Sequence, residues 1–349
     1  PRLWPLSRAG APKFLHDLRG SGRTLIQETH DRLGPLAPGR VLVVTGAAHR
    51  DAVALQLDTL APEAILAEPS ARDSMAAIGL AAALIERADP DAVMGSFAAD
   101  HVITDTEGFA GAVRTAIEVA REGWLVTLGV EPTFPSSAFG YIRSGEPLAE
   151  HPGAARVSQF VEKPSVEVAR GYLAEGGYRW NAGMFVFSFA TIIESLLKHQ
   201  KQLHESCERW FQLANTPVKL KRALAKDYPD LKKVSFDYGV MEHAQNVLVA
   251  DGDFEWDDLG AWPAMARHLK PDPEGNCFEA DFIHVDAARN VIFDTRAKQK
   301  RTTIAVVGLR DCVIVQTDDA TLVAHKRQAQ KVRELVSKLA ASQAHKRLI

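Results

Sequence analysis

The first half of the chain alternates short apolar runs with longer amphipathic ones. "VLVVT" (41–45), "AILAEP" (64–69), "AVMGSFAAD" (92–100) and "WLVTLGV" (124–130) have the length and content of buried strands. Between them, "HRDAVALQLDTL", "DSMAAIGLAAALIER" and "EGFAGAVRTAIEVAREG" read as helices, with Asp73 or Ser74 placed to cap the second. This alternation predicts an α/β, Rossmann-like mixed, mostly parallel sheet flanked by helices. Ligands then bind beyond the C-terminal ends of the strands, where Asp100 and the pair Glu68-Pro69 fall.

In the middle, "ARVSQFVEKP" and "WNAGMFVFS" read as strands separated by the helix "SVEVARGYLAEG". From about residue 189 to 226 the pattern is helical, and "NVLVADGDFEW" is a further strand. "LKPDPEGN" (269–276) turns to Pro, Gly and Asp and marks a boundary. Beyond it "FIHVDAARNVIFDT", "TTIAVVGLRDCVIVQT" and "ATLVAH" predict a small β-rich, β-helix-like domain, closed by the helix "RQAQKVRELVSKLAASQ". The expected domains are 1–268 and 275–349. No long repeat is evident.

Bulk properties exclude more than they select. A net charge of −3 leaves no electrostatic footprint for nucleic acid, and no apolar run is long enough to span a membrane. Cys207, Cys277 and Cys312 are odd in number and far apart, which fits neither a zinc pattern nor a disulfide framework. A cytoplasmic setting is expected.

The candidate chemistry is concentrated in short stretches. "DFEWDDLGAW" (253–262) sets Asp253, Glu255, Asp257 and Asp258 beside two tryptophans, with no lysine or arginine inside it. Either this is a solvated acidic loop, or part of the charge meets a metal ion. Asp100 alone could be a turn residue. Asp100 and Asp258 together, each after an apolar strand, could share a Mg²⁺ ion, which takes one or two carboxylates alongside phosphate oxygens. Asp253 and Glu255 are expected to be solvated, and Asp257 to point to solvent or cap the following turn.

"FVEKPS" offers Glu162 for hydroxyls and Lys163 for a phosphate, or else a surface ion pair of little value. "RWNAGMFVF" joins the amide of Asn181 to small Ala182 and Gly183, where a ligand could approach the backbone; an ordinary strand entry with a turn is the plainer reading. "PRLWPLSRAGAPKFL" holds Arg2, Arg8 and Lys13, either a polyphosphate clamp or a solvated basic turn. "EPSARDSMAA" leads into a helix N-terminus suited to anions or to the edge of a base, or is a plain capped helix.

The order of these stretches is more specific than any one of them. With "FGYI" (139–142) and "FDYGVME" (236–242) added, the series closely resembles the mannose-1-phosphate guanylyltransferases of the sugar nucleotidyltransferase superfamily over residues 2–262. The tail resembles, more weakly, the small C-terminal β-domain of such enzymes. The resemblance implies GMP transfer from GTP to mannose 1-phosphate, giving GDP-mannose and pyrophosphate, with Mg²⁺ as cofactor, a homodimer, and no nucleic-acid or membrane partner.

By the same resemblance Arg2 and Lys13 hold the triphosphate, Lys163 the sugar phosphate, and Asp100 and Asp258 the metal. Gly140, Glu162, Asn181 and Gly183 frame the hexose. Glu68, Arg72, Asp73 and Ser74 lie where guanine and ribose are read. The family's glycine-rich phosphate loop ends at an arginine that Arg2 matches. An omitted segment is expected before Arg2, with Pro1 at the end of its strand. The commoner Lys-Asn-Thr form is absent from "EPSARDSMAA". Alternatives are another hexose-1-phosphate nucleotidyltransferase using UTP or dTTP and glucose 1-phosphate, and a catalytically silent sugar-nucleotide-binding paralogue. A nicotinamide-dependent oxidoreductase lacks its G-x-G-x-x-G signature.

Overall fold

The computed structural model describes residues 2–349, so the expectation for Pro1 lies outside the described residues. The chain forms two compact units, neither of them contiguous in sequence. One takes in Arg32–Ala98 and Ile103–Trp256, the other the segment up to Asp31 together with Ala99–Val102 and Asp257–Ile349.

The first unit is built on β1 (Val43–Gly46), β2 (Ile65–Glu68), β3 (Val93–Ser96), β4 (Leu125–Val130), β5 (Gly140–Pro147), β6 (Ala154–Val161), β7 (Tyr178–Ser188) and β8 (Val247–Gly252). β1 and β2 pair in parallel. The other six form one mixed sheet in the order β3-β7-β4-β8-β6-β5. β3, β4, β5 and β8 run one way, while β6 and β7 run against them. The long β7 is inserted between β3 and β4, so β4–β8 is the single parallel neighbour pair of this sheet. The share of parallel contacts is therefore smaller than the alternation of strands and helices predicts.

Apolar faces explain the helix positions. α1 (Asp73–Ala88) buries Met75, Ile78 and Leu80 in a core shared with Leu203, Cys207 and Trp210 of α5 (Lys201–Leu213). α2 (Thr106–Ala120) is capped by Asp105, whose carboxylate accepts from the amides of Glu107 and Gly108, and it buries Phe109 and Val113. The cap expected on α1 is not formed. Arg72 occupies that position without a side-chain bond, Asp73 adopts a left-handed φ of 67°, and the Ser74 hydroxyl instead accepts from the Phe236 amide. α3 (Val166–Glu175) follows "EKPS", with Ser165 as its cap. The helical stretch after residue 188 is divided into α4 (Phe189–His199), α5 and α6 (Pro217–Asp227), with a break at Gln200.

In the second unit the β-rich tail is a short β-helix. β9 (Cys277–Glu279), β11 (Val291–Asp294) and β13 (Cys312–Gln316) stack in parallel, and β10 (Phe282–Val285) stacks on β12 (Ile304–Val307). β14 (Thr321–His325) closes the first stack antiparallel, and α7 (Val332–Ala341) follows. Phe282 pairs with Ile304 and Val291 with Val313, both offset by 22 residues. This is a repeat of two rungs, which the sequence reading does not detect because few identities survive in it. Buried Asn276 and Asn290 tie the turns of successive rungs: Asn276 Oδ1 accepts from Asn290, and Asn290 Oδ1 accepts from the Cys312 amide.

The same unit buries the N-terminal segment. Leu3, Trp4 and Leu18 share a core with Trp262, Phe293, Val315 and Val332. The Trp4 indole donates to the Leu348 carbonyl, and the Trp262 indole to the Trp4 carbonyl, each at 2.8 Å. Among the described residues no helix is long and apolar enough to cross a membrane.

Candidate active site

Each unit assembles its own share of the expected site residues. In the unit that carries the β-helix, Lys13 lies on a single 3₁₀ turn, Lys13–Leu15. Its ammonium is 2.8 Å from Asp100 Oδ2 and donates to the Asp258 carbonyl at 2.5 Å. Lys13 is largely buried, at 15% exposure, while Asp100 keeps 39%. Burial opposes the charge of Asp100, but Lys13 and then His101 outweigh it and hold the carboxyl below its ordinary range. Asp258 Oδ1 accepts from the Gly260 amide. Lys13 thus ties the Asp100 carboxylate to the Asp258 backbone carbonyl, and the carboxylates of the two residues are hard oxygen donors of the kind Mg²⁺ takes. Arg2 is half-buried in a turn of the same unit.

Asp257 corrects the expectation of a solvent-facing residue. It is buried, and Arg267 grips it with two hydrogen bonds of 2.7 Å while His268 lies at 2.9 Å. It does cap the turn, accepting from the Leu259 amide. Burial alone would raise its pKa, yet His268 and Arg267 bring it down to about 2. The acidic stretch therefore does have cations, but they stand ten residues downstream and fold back. Asp253 and Glu255 are exposed as expected, with Glu255 accepting from Thr104. A further group of possible ligands, Asp272, Glu274 and His284, lies at the start of the β-helix. There Asp272 is engaged by the Glu274 and Asn276 amides and shapes a turn.

In the other unit, Glu162, Lys163, Asn181, Gly183 and Gly140 come together. The Lys163 ammonium donates to Glu162 Oε1. Glu162 is 9% exposed and Lys163 57%, the reverse of the Lys13–Asp100 pair. Burial pushes the Glu162 carboxyl up, against the pull of Lys163. A Cβ on Gly140 would lie 2.3 Å from Glu162 Oε2 and 3.2 Å from the Asn181 side chain, so any larger residue here would displace the Glu162 carboxylate. Gly183 adopts φ 65°, where β7 shifts register against β4.

Asn181 is a fixed hub. Its Oδ1 accepts from the Thr127 hydroxyl at 3.0 Å and from the Gly183 amide at 3.1 Å, and its Nδ2 donates to Asp237 Oδ1 at 2.5 Å. Asp237 is the residue that sequence reasoning missed. It stands in the quoted "FDYGVME", which unfolds into a π-helical turn, Asp237–Met241, of the kind often found at functional sites. An aspartate set between two aromatic residues, Phe236 and Tyr238, is the signal the sequence offers.

Glu68 ends β2, as expected. Its Oε1 is buried without a hydrogen-bond partner, as is the Ser70 hydroxyl, and burial raises the Glu68 carboxyl. Arg72 is engaged elsewhere: its guanidinium donates to the carbonyls of Tyr228 and Pro229. Asp73 is exposed and accepts from the Ser74 amide.

Comparison with known proteins places this geometry. Residues 1–273 match the nucleotidyl transferase family. The chain belongs to that family. Residues 280–339 match the mannose-phosphate isomerase/GMP-like β-helix domain. The Xanthan biosynthesis protein XanB of Xanthomonas campestris is 36% identical over 97% of this chain and 70% of its own length. The mannose-1-phosphate guanylyltransferase of Escherichia coli is 35% identical over 99% of this chain and 72% of its own length. The crystal structure of mannose-1-phosphate geranyltransferase from Thermus thermophilus superposes with a TM-score of 0.84 at 36% identity, covering 97% of this chain and 95% of that one. The nucleotidyltransferase α/β core with a C-terminal β-helix is thereby established.

Proposed function

We propose that this nucleotidyltransferase moves GMP from GTP to mannose 1-phosphate, releasing pyrophosphate. The observation that carries the reading is the opposed exposure of its two lysine–carboxylate pairs. The Lys13 side chain is the more covered of its pair and leaves Asp100 open to a cation, while the Glu162 side chain is the more covered of its pair and leaves Lys163 open to an anion. A metal–triphosphate and a sugar phosphate are ligands of those two kinds. Several curated relatives, in Escherichia coli and Salmonella, are named mannose-1-phosphate guanylyltransferases, which agrees with this choice of substrates.

In the reaction a phosphate oxygen of mannose 1-phosphate attacks the α-phosphorus of GTP. The new P–O bond forms as the bond to the β-phosphate breaks, and pyrophosphate carries away the electron pair. The nucleophile is already anionic, so no general base is required. The protein positions two anions and offsets their repulsion. Arg2 and Lys13 hold the triphosphate, and Lys163 holds the sugar phosphate. Asp100 and Asp258 hold Mg²⁺, which supplies charge neutralisation at the phosphates when bound. Glu162, Asn181, Gly140 and Gly183 frame the hexose. Glu68 has a buried acceptor without a partner, suited to the N–H groups of guanine, and Arg72, Asp73 and Ser74 flank it. The proposal keeps a catalytic domain over 1–268, a β-rich domain over 275–349, a homodimer and a cytoplasmic setting, the last in keeping with three free cysteines.

The test is pyrophosphate release across a grid of nucleoside triphosphates and hexose 1-phosphates, with and without Mg²⁺. GTP with mannose 1-phosphate should exceed ATP by at least ~100-fold, because a site built to accept from guanine N1–H and N2–H₂ rejects adenine, which has no donors at those positions. Equal turnover with ATP or UTP overturns the guanylyl assignment.

A further inference from the structure

The turn at "FDYGVME" has no place in the roles assigned above, yet the structure fixes it with unusual care. Phe236 is fully buried, with its ring 4.9 Å from that of Phe185 and 5.4 Å from that of Phe187. Its amide donates to the Ser74 hydroxyl, and the Gly239 carbonyl accepts from Gln200 Nε2 at 2.9 Å. These anchors hold the backbone on either side of Asp237, the carboxylate of the turn.

That side chain meets Asn181, and Asn181 has no freedom to turn away. Its carbonyl end is saturated by the Thr127 hydroxyl and the Gly183 amide, so its Nδ2 must face Asp237. Asp237 and Glu242 are close enough to make Glu162 harder to ionise, and Lys163 is the cation that pulls on both Glu162 and Asp237. Both carboxyls are raised mainly by burial. A pocket meant only for an anion would gain nothing from buried acids beside its lysine. A polyol is different. Each hydroxyl is a donor, and a buried carboxylate is a strong acceptor left costly when unpaired.

We infer that Asp237 is a second hydroxyl-binding carboxylate of the hexose site, accepting from a sugar hydroxyl opposite Glu162 while Lys163 serves the phosphate. This rests on the sugar-phosphate reading of Lys163 and Glu162, and it goes beyond it by naming a residue that sets which hexose is accepted.

The experiment is a cycle between Asp237→Asn and a panel of monodeoxy mannose 1-phosphates. Asparagine keeps the shape and can still accept from Asn181, so the fold should persist. Asp237→Ser, with a thermal melt, serves if it does not. Asp237→Asn should raise the KM for mannose 1-phosphate by about 10- to 100-fold, the loss of a charge-assisted hydrogen bond, with the KM for GTP within about twofold. One deoxy analogue should cost the wild type about tenfold or more and cost Asp237→Asn nothing further. Wild-type-like kinetics overturn the inference. So does an equal loss on every analogue, which would make Asp237 only a support for Asn181. If the wild type makes no GDP-mannose, the functional reading has failed instead. The role of Asp237 is then judged by calorimetric binding of hexose 1-phosphates to wild type and Asp237→Asn, where equal affinities overturn it.

Discussion

Lys13 with Asp100 and Lys163 with Glu162 are the same chemical pair in opposite settings. In the first the ammonium is the buried member and the carboxylate reaches solvent; in the second the carboxylate is buried and the ammonium reaches solvent. The electrostatics follow. Lys13 holds Asp100 below the ordinary carboxyl range, while burial raises Glu162 despite its lysine. An ion pair in a site is therefore not self-cancelling. The exposed member decides which ligand it serves, and the buried member decides how firmly that member is held.

The sharpest way to break the contrast is at the open acids. Asp258→Asn, and likewise Asp100→Asn, should reduce kcat by about 100- to 1000-fold at saturating Mg²⁺, the scale of removing one electrostatic contact to the reacting phosphates. The melting temperature should stay near wild type for Asp258→Asn but fall for Asp100→Asn, because the mostly covered Lys13 ammonium then loses its anion. Rates over a Mg²⁺ titration with matched melts provide the check. Two active variants would mean that these acids hold no metal.

At the open cation, Lys163→Ala should raise KM for mannose 1-phosphate and lower kcat, with a combined loss in kcat/KM of about 10- to 100-fold and GTP less affected. Loss of GTP affinity with intact sugar-phosphate affinity would reverse the two roles. Steady-state kinetics with each substrate varied in turn separate these outcomes.

Asp257, neighbour to Asp258, supplies the control for position against charge. Asp257→Asn should cost about 1–3 kcal/mol of stability by leaving Arg267 and His268 without their buried anion, with kcat within about threefold of wild type. Its carboxyl titrates near 2 when folded and at 3.8 as a free side chain. Its contribution, about 2 kcal/mol, is thus complete above pH ~4 and lost as pH falls through about 2. Urea unfolding from pH 5 to 2 should show the wild type converging on the variant at the acid end. A variant dead at full stability would make Asp257 a participant in the chemistry.

The Asp257 result shows where reading a sequence reaches its end. "DFEWDDLGAW" reads as acids without cations because Arg267 and His268 lie outside any local window. Only the fold-back brings them to Asp257. Arg72 teaches the same lesson, since its partners, the carbonyls of residues 228 and 229, are distant in the chain and invisible as a pattern. Asp237 was missed for a related reason: the motif was visible, but a π-helical turn sets its direction, and no spacing rule reports that.

By itself the sequence determined the β-rich tail, the family and most strands and helices of the α/β core, though not β5, because apolar periodicity and ordered motifs are local properties. Tertiary structure alone decided which strands are neighbours. It set β7 between β3 and β4 and broke the chain into two units that ignore sequence order. It also decided which member of each ion pair is buried. Burial and pairing depend on what the rest of the chain packs around a residue, and those neighbours come from segments far removed in sequence.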